Sequence, residues 1–309
     1  MLLTRQSFTR VTLGLDIVRR IPDGPFRGYH ELGSIKHAID LCDTVGIEES
    51  DADRLECTDP LVPCDQRNTC LRVAALLRKK FGIDRKVHIT IEKRIPAEGG
   101  LAGGSANAAT TIEILNRLWQ LDLSTAECID LGRAIGMDVP YFFIGGSAFD
   151  SEAGLRLEPI ETACSFVLVL ACPEFGVSTA GAYAALDYDT IGRNQGATES
   201  LRSALEAGNA EAVMPFLHND FEPSVFASYP RLAEIKKELL SAGCSAALLT
   251  GSGSTIIGIA RDRSHGREVQ GKVSCRTILA GTLPRGHRSD KDNQPETICN
   301  EDRPTVPTA

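Results

Sequence analysis

The run "PAEGGLAGGSANAAT", Pro96 to Thr110, sets two glycine pairs among small residues. It follows an alternating segment that predicts a strand, and it leads into a periodicity that predicts a helix. A helix N-terminus offers unpaired N–H groups and a partial positive charge, which together hold anions. Residues without bulk let a phosphate reach those groups, and Ser105 adds a hydroxyl suited to a phosphate oxygen or to Mg²⁺. The run has no lysine, so the pattern G-x-x-x-x-G-K-[ST] is absent, and G-x-G-x-x-G does not occur in it either. The plainer alternative is a Gly/Ala turn that lets a helix pack closely on a strand. Asp138 stands just beyond the expected helix end at Gly136, where a capping or turn aspartate is common.

The elements that must position these residues are legible from periodicity. Arg10 to Val18 alternates as a half-buried strand does, and so does "KVHITIEKRI", with Val87, Ile89 and Ile91 on one face. Ala108 to Trp119 predicts an amphipathic helix carrying Ile112, Leu115, Leu118 and Trp119 on its apolar side. "STAECIDLGRAIG" opens with a capping box, Ser124 and Glu127, and closes on Gly136. "SFVLVLAC" reads as a buried strand and "PRLAEIKKELLSAG" as a helix ending at Gly243. "SAALLTGSGSTIIGIA" is two short apolar runs around a Gly-Ser turn. Strands and helices mixed without strict alternation predict an α+β fold of two lobes with a cleft between them. The expected division is residues 1–152, then 153–285, then a disordered tail over 286–309 with little to bury.

Bulk properties narrow the function. The 309 residues are 42% hydrophobic and 24% charged, the balance of a globular chain able to bury a core. A net charge of -8 disfavours a nucleic acid or an anionic membrane as partner. The ten cysteines include no C-x-x-C pair, and many lie in apolar stretches, which suits buried free thiols in a reducing cytoplasm rather than a zinc site. No apolar run reaches the ~20 residues of a membrane span. The N-terminus has no signal-peptide core, and a strand over Thr9 to Leu15 leaves little chain for a transit peptide.

The glycine run resembles the phosphate loop of the GHMP kinases, roughly P-x-x-x-G-L-(G/A)-x-(G/S)-S-x-A. Further segments match the same family in order: "PDG" with "GYHEL" (Pro22 to Gly24, Gly28 to Leu32), interrupted by Pro25, Phe26 and Arg27; "GMDVPYFF" (Gly136 to Phe143); "VSTAGAY" (Val177 to Tyr183); "NDFEP" (Asn219 to Pro223); and "LLTGSGST" (Leu248 to Thr255). The resemblance runs from about Thr9 to Ile259.

It implies the two-lobed GHMP kinase fold with its active site in the cleft. It also implies transfer of the ATP γ-phosphoryl group, with Mg²⁺, to a hydroxyl of a sugar alcohol carried on cytidine diphosphate, in non-mevalonate isoprenoid synthesis. The alternatives are a GHMP kinase for another alcohol of homoserine or mevalonate type, or an inactive nucleotide-binding homologue. ATP falls to Gly99, Gly100, Leu101, Ala102, Gly103, Gly104, Ser105 and Asn107, with Asn68 near the adenine or serving as a helix N-cap. Asp138 takes the catalytic position, as base or as orienting acceptor. The family's first strand reads A-K-(I/L)-N-L, whereas this chain has "TRVTL", which puts Arg10 for the lysine and Thr12 for the asparagine. Arginine keeps the charge but not the shape. Tyr29, His30 and Tyr183 fall on the cytidine-binding positions, and Gly251, Ser252 and Gly253 form the loop that closes on the cleft. Glu98 replaces a glycine usual in the family and is open to three roles: facing solvent, pairing with Lys93 or Arg94, or helping to hold Mg²⁺. The expected partner is a small molecule, with no dedicated protein metal site, in a cytoplasmic monomer or homodimer.

Overall fold

The computed structural model describes residues 1–23, 27–28, 30–151, 156–187, 191–192, 194 and 196–287. In chain order the first part runs β1 (Leu3–Arg20), β2 (His30–Ser50), β3 (Arg54–Cys57), α1 (Thr69–Phe81), β4 (Lys86–Glu92), α2 (Gly103–Leu118) and α3 (Thr125–Ile135). A 3₁₀ turn (Val139–Phe143), β5 (Ser147–Ser151) and β6 (Arg156–Ile160) complete it. The second part runs β7 (Val167–Cys172), α4 (Thr179–Ala184), α5 (Ala197–Glu206), α6 (Ala210–Val213), β8 (His218–Asn219), α7 (Glu222–Ser228) and α8 (Pro230–Ser241). It ends with β9 (Ala246–Leu249), β10 (Ile256–Ala260), α9 (Arg263–Gln270) and β11 (Arg276–Gly281).

The described strands form two sheets, as the α+β expectation required. One has the order β3-β4-β2-β1-β8 with β5 and β6 branching from β2, and it is mixed, because β3 joins β4 and β8 joins β1 in parallel. The other, β11-β7-β10-β9, is antiparallel throughout. β5 and β6 pair antiparallel, Ser147 opposite Ile160, so the first sheet continues beyond Ser151.

Burial follows the sequence pattern. Val87, Ile89 and Ile91 pack with Ile112, Leu115 and Trp119 under α1 to α3. "SFVLVLAC" is buried on both faces: Leu168 and Leu170 meet Val11, Leu13 and Ile35 of the first sheet, while Val169 and Ala171 meet Leu232, Ile235 and Leu239 of α8. That two-sided cover explains an apolar run without alternation. The Ser124–Glu127 capping box is present. Two expectations shift. β1 begins at Leu3 rather than Arg10, since its outer residues pair with β2 as far as Leu3 opposite Ile47. Helix α2 begins at Gly103 rather than Ala108, so the second glycine pair is the first turn of the helix and not loop. Of the expected tail, residues beyond 287 lie outside the described ones.

Candidate active site

Loop and strand meet at the middle of β1. Thr9 Oγ1 donates to the Leu101 carbonyl, and Arg10 Nη1 donates to the Gly100 carbonyl at 2.7 Å. Register slips between β1 and β2 at Phe8/Arg10 and Thr12/Gly14 bracket this stretch and turn its side chains toward the loop. The Thr12 N–H donates to Thr250 Oγ1 at 2.8 Å, which ties β1 to the second Gly-Ser loop.

The two glycine loops lie directly on each other. The Thr255 N–H donates to the Gly99 carbonyl at 3.2 Å and the Ser254 N–H to the Glu98 carbonyl at 3.3 Å. A Cβ on Gly100 would meet the Thr250 carbonyl, and one on Gly251 would lie 2.7 Å from the Gly100 carbonyl; both residues have positive φ, 73° and 58°. Glu98 and Ala102 also take left-handed backbone, at 52° and 55°. Position 98 thus has a backbone that glycine adopts without strain. Glu98 itself is exposed, its carboxylate passing over Gly176. Lys93 instead pairs with Asp43, and Arg94 pairs with Glu92.

Ala102 is the N-cap of α2, and the first-turn glycines Gly103 and Gly104 present backbone N–H groups there, while the Ser105 N–H donates to the Ala102 carbonyl at 3.0 Å; Gly104 is exposed and Ser105 half-buried. Asn107 points the other way. Its Nδ2 donates to Asp43 Oδ2 at 2.9 Å, and the residue is buried, so it secures the loop from behind. Asn68 is the N-cap of α1, accepting from the Cys70 N–H at 2.9 Å and donating to the Pro63 carbonyl at 2.8 Å. Thr69 Oγ1 donates to the Gly104 carbonyl at 2.9 Å and so links the starts of the two helices.

Asp138 stands at the head of the 3₁₀ turn and faces β1 and β2. Arg10 Nη2 reaches its Oδ2 at 2.8 Å, and Lys36 Nζ reaches its Oδ1 at 2.6 Å. Burial pulls the carboxyl upward, but Lys36 and Arg10 outweigh it and hold Asp138 well below the usual carboxylate range. Its side chain is still 32% exposed, so the carboxylate opens to the cleft. Arg10 is buried and its Nε has no hydrogen-bond partner.

Lys36 was not among the sequence candidates. Its signal was a lysine amid the apolar alternation of "SIKHAI", which ordinarily reads as a solvent-facing position. Asp150, which hydrogen-bonds Lys36, and the fully buried Asp43 were missed for the same reason.

On the far side of the cleft His30 stacks on Tyr183, with ring centroids 4.7 Å apart, and Tyr183 meets Phe221 edge to face. Burial, with Asp138 adding its negative charge, pushes the Tyr183 phenol up to about 12. Tyr29 lies outside the described residues. Thr179 and Ser252 hydroxyls meet at 3.1 Å, so "VSTAGAY" touches the second Gly-Ser loop. Asn219 holds that loop from below, donating to the Leu249 and Gly251 carbonyls at 2.7 and 2.8 Å. Gly253 packs against Leu249 and Val177. No group of three or more carboxylate, His or Cys side chains able to hold a metal occurs among the described residues. No helix among them is long and apolar enough to cross a membrane.

Known proteins share the sequence pattern and the fold. The model of the GHMP kinases N-terminal domain matches residues 68–146, and that of the GHMP kinases C-terminal domain matches 201–278. A 4-diphosphocytidyl-2-C-methyl-D-erythritol kinase of Gloeobacter violaceus is 36% identical over 291 residues, covering 90% of this chain and 95% of its own. One from Shouchella clausii is 36% identical over 258 residues, covering 83% and 85%. A crystal structure of 4-(cytidine 5'-diphospho)-2C-methyl-D-erythritol kinase superposes with TM-score 0.75 at 28% identity, over 91% of this chain and 99% of its own. A homoserine kinase from Cytophaga hutchinsonii shares the fold, with TM-score 0.69 at 16% identity.

Proposed function

The chain belongs to the GHMP kinase superfamily, and on that premise we propose that it transfers the γ-phosphoryl group of ATP to the 2-hydroxyl of 4-diphosphocytidyl-2-C-methyl-D-erythritol, in non-mevalonate isoprenoid synthesis. The observation that carries the reading is Asp138, held between two cations at the cleft beside the glycine loop.

In this reading the backbone N–H groups at the start of α2 take the β- and γ-phosphates, and the helix dipole supplies positive potential. Mg²⁺ would arrive with the nucleotide, bound to phosphate oxygens, water and the half-exposed Ser105 hydroxyl. Such a hard-oxygen set suits Mg²⁺, which keeps part of its water shell and neutralises phosphate charge. Asp138 accepts a hydrogen bond from the acceptor hydroxyl and aims its oxygen at the γ-phosphorus. Arg10 and Lys36 hold the carboxylate ionised, which makes it a weak base. The hydroxyl proton therefore leaves late, as a loose transition state permits. Arg10 bridges Asp138 and the Gly100 carbonyl, coupling the aspartate to the loop that carries the phosphates. A cytosine extending the His30–Tyr183 stack would gain about 1–3 kcal/mol.

A rival reading, an inactive homologue, rests on Arg10 standing where the family has lysine. The Lys36 ammonium beside the same aspartate weakens it. A coupled ADP-release assay tests the proposal, with the cytidine compound against homoserine and mevalonate. Turnover confined to the cytidine compound is expected; turnover with either control and none with the cytidine compound would overturn it.

A further inference from the structure

Lys36 and Asp150 form a buried pair behind Asp138. They lie on neighbouring antiparallel strands, with Lys36 opposite Ala148 and Ser34 opposite Asp150, so their side chains are diagonal neighbours on one face. Lys36 Nζ donates both to Asp138 Oδ1, at 2.6 Å, and to Asp150 Oδ2. The side chains of Lys36 and Asp150 are 6% and 10% exposed. Asp150 Oδ1 has no hydrogen-bond partner. A pair this deep is a weak source of stability, because apolar side chains of like volume often serve as well. Its direct bond to the cleft-facing carboxylate gives it another use.

We propose that Lys36, held in place by Asp150, is a positioning residue for phosphoryl transfer. Arg10 alone divides its guanidinium between the Gly100 carbonyl and one oxygen of Asp138, which leaves the carboxylate free to turn about its Cβ–Cγ bond. Lys36 takes the other oxygen, and two cations on opposite oxygens fix the plane of the group. Asp150 holds Lys36 back, so the ammonium stays with Asp138 instead of swinging toward an incoming polyphosphate. The charges then alternate from Arg10 through Asp138 and Lys36 to Asp150, and they cancel. The charged and titratable groups facing Asp138 are Arg10 from β1, Lys36 from β2 with Asp150 of β5 behind it, and Tyr183 from α4.

The inference rests on the kinase reading only for its activity arm. Carbon-13 labelling of aspartate carboxyl groups, with the Asp138 signal assigned by its loss in Asp138→Asn, follows the titration without any substrate. In Lys36→Met the Asp138 midpoint should rise by about 1–3 pH units, and Lys36→Arg should return most of the shift. In the activity arm, Lys36→Met should lower kcat by about tenfold to a hundredfold while the KM for ATP stays within about twofold. Should Lys36→Met fail to fold, Asp150→Asn leaves Lys36 free to move, and the same fall in kcat is expected of it. A folded Lys36→Met chain whose Asp138 titrates as in the wild type would overturn the proposal, as would Asp150→Asn with wild-type kcat. A wild-type chain that turns over no alcohol tells against the kinase reading and leaves the carboxyl titration to judge Lys36.

Discussion

Asp43 and Asp138 both lie beside cations in the same lobe, yet they are used differently. Asp43 is fully buried and fully engaged: Oδ1 accepts from the backbone N–H groups of Arg94 and Ile95, and Oδ2 meets Lys93 and Asn107. Nothing is left for a ligand, and what it fixes is the approach to the phosphate loop and the first turn of α2. Asp138 has a cation on each oxygen but keeps a third of its surface open to the cleft. The chemistry of the two groups is alike, and access separates scaffold from site. A buried carboxylate is thus no sign of function until its remaining lone pairs have been traced.

The comparison breaks most visibly at Asp138. Asp138→Asn should keep the shape and lower turnover by about 10²- to 10⁴-fold, with nucleotide affinity nearly intact. Single-turnover kinetics and nucleotide titration would measure both, and near-normal turnover would move the chemistry elsewhere. Asp43→Asn should do the reverse. It leaves buried Lys93 unpaired at a cost of about 3–5 kcal/mol, seen as a lower urea midpoint at unchanged slope, while kcat at saturating ATP holds. A lost kcat at an unchanged midpoint would make Asp43 a second catalytic carboxylate and erase the distinction. The smallest effect sharpens the role of the shared cation. Arg10→Lys offers a point charge that cannot span both Gly100 and Asp138, so kcat should fall about three- to tenfold, the worth of one hydrogen bond. Full inactivation would show that the guanidinium does more than bridge.

Much of this arrangement was legible in the sequence because it is written in local patterns. The glycine run between a strand and a helix, the apolar alternation of β4 and the two-sided apolar run of β7 each reflect neighbours a few residues away or a single buried surface. Asn68 was readable as a cap for that reason, and its bond to Cys70 is the capping bond itself. Lys36 and Asp150 were not readable. Lys36 is one of several charged residues along β2 and Asp150 the single one in β5, and they become a unit only when β2 and β5 pair across more than a hundred residues of chain. Asn107 shows the intermediate case. Its place in the loop motif was visible, but the side of the helix it faces depends on Asp43, which comes from another strand.

The contact between Gly100 and Gly251 has a consequence for heredity. Every amino acid that a single-base change can make from a glycine codon carries a Cβ, and at either position that atom would strike the carbonyl of the opposite loop. No small genetic step can therefore tune this junction; it can only be kept or lost. Change beside this junction falls instead to side chains such as that of Glu98, which is exposed, while the bare backbone between the loops stays as it is.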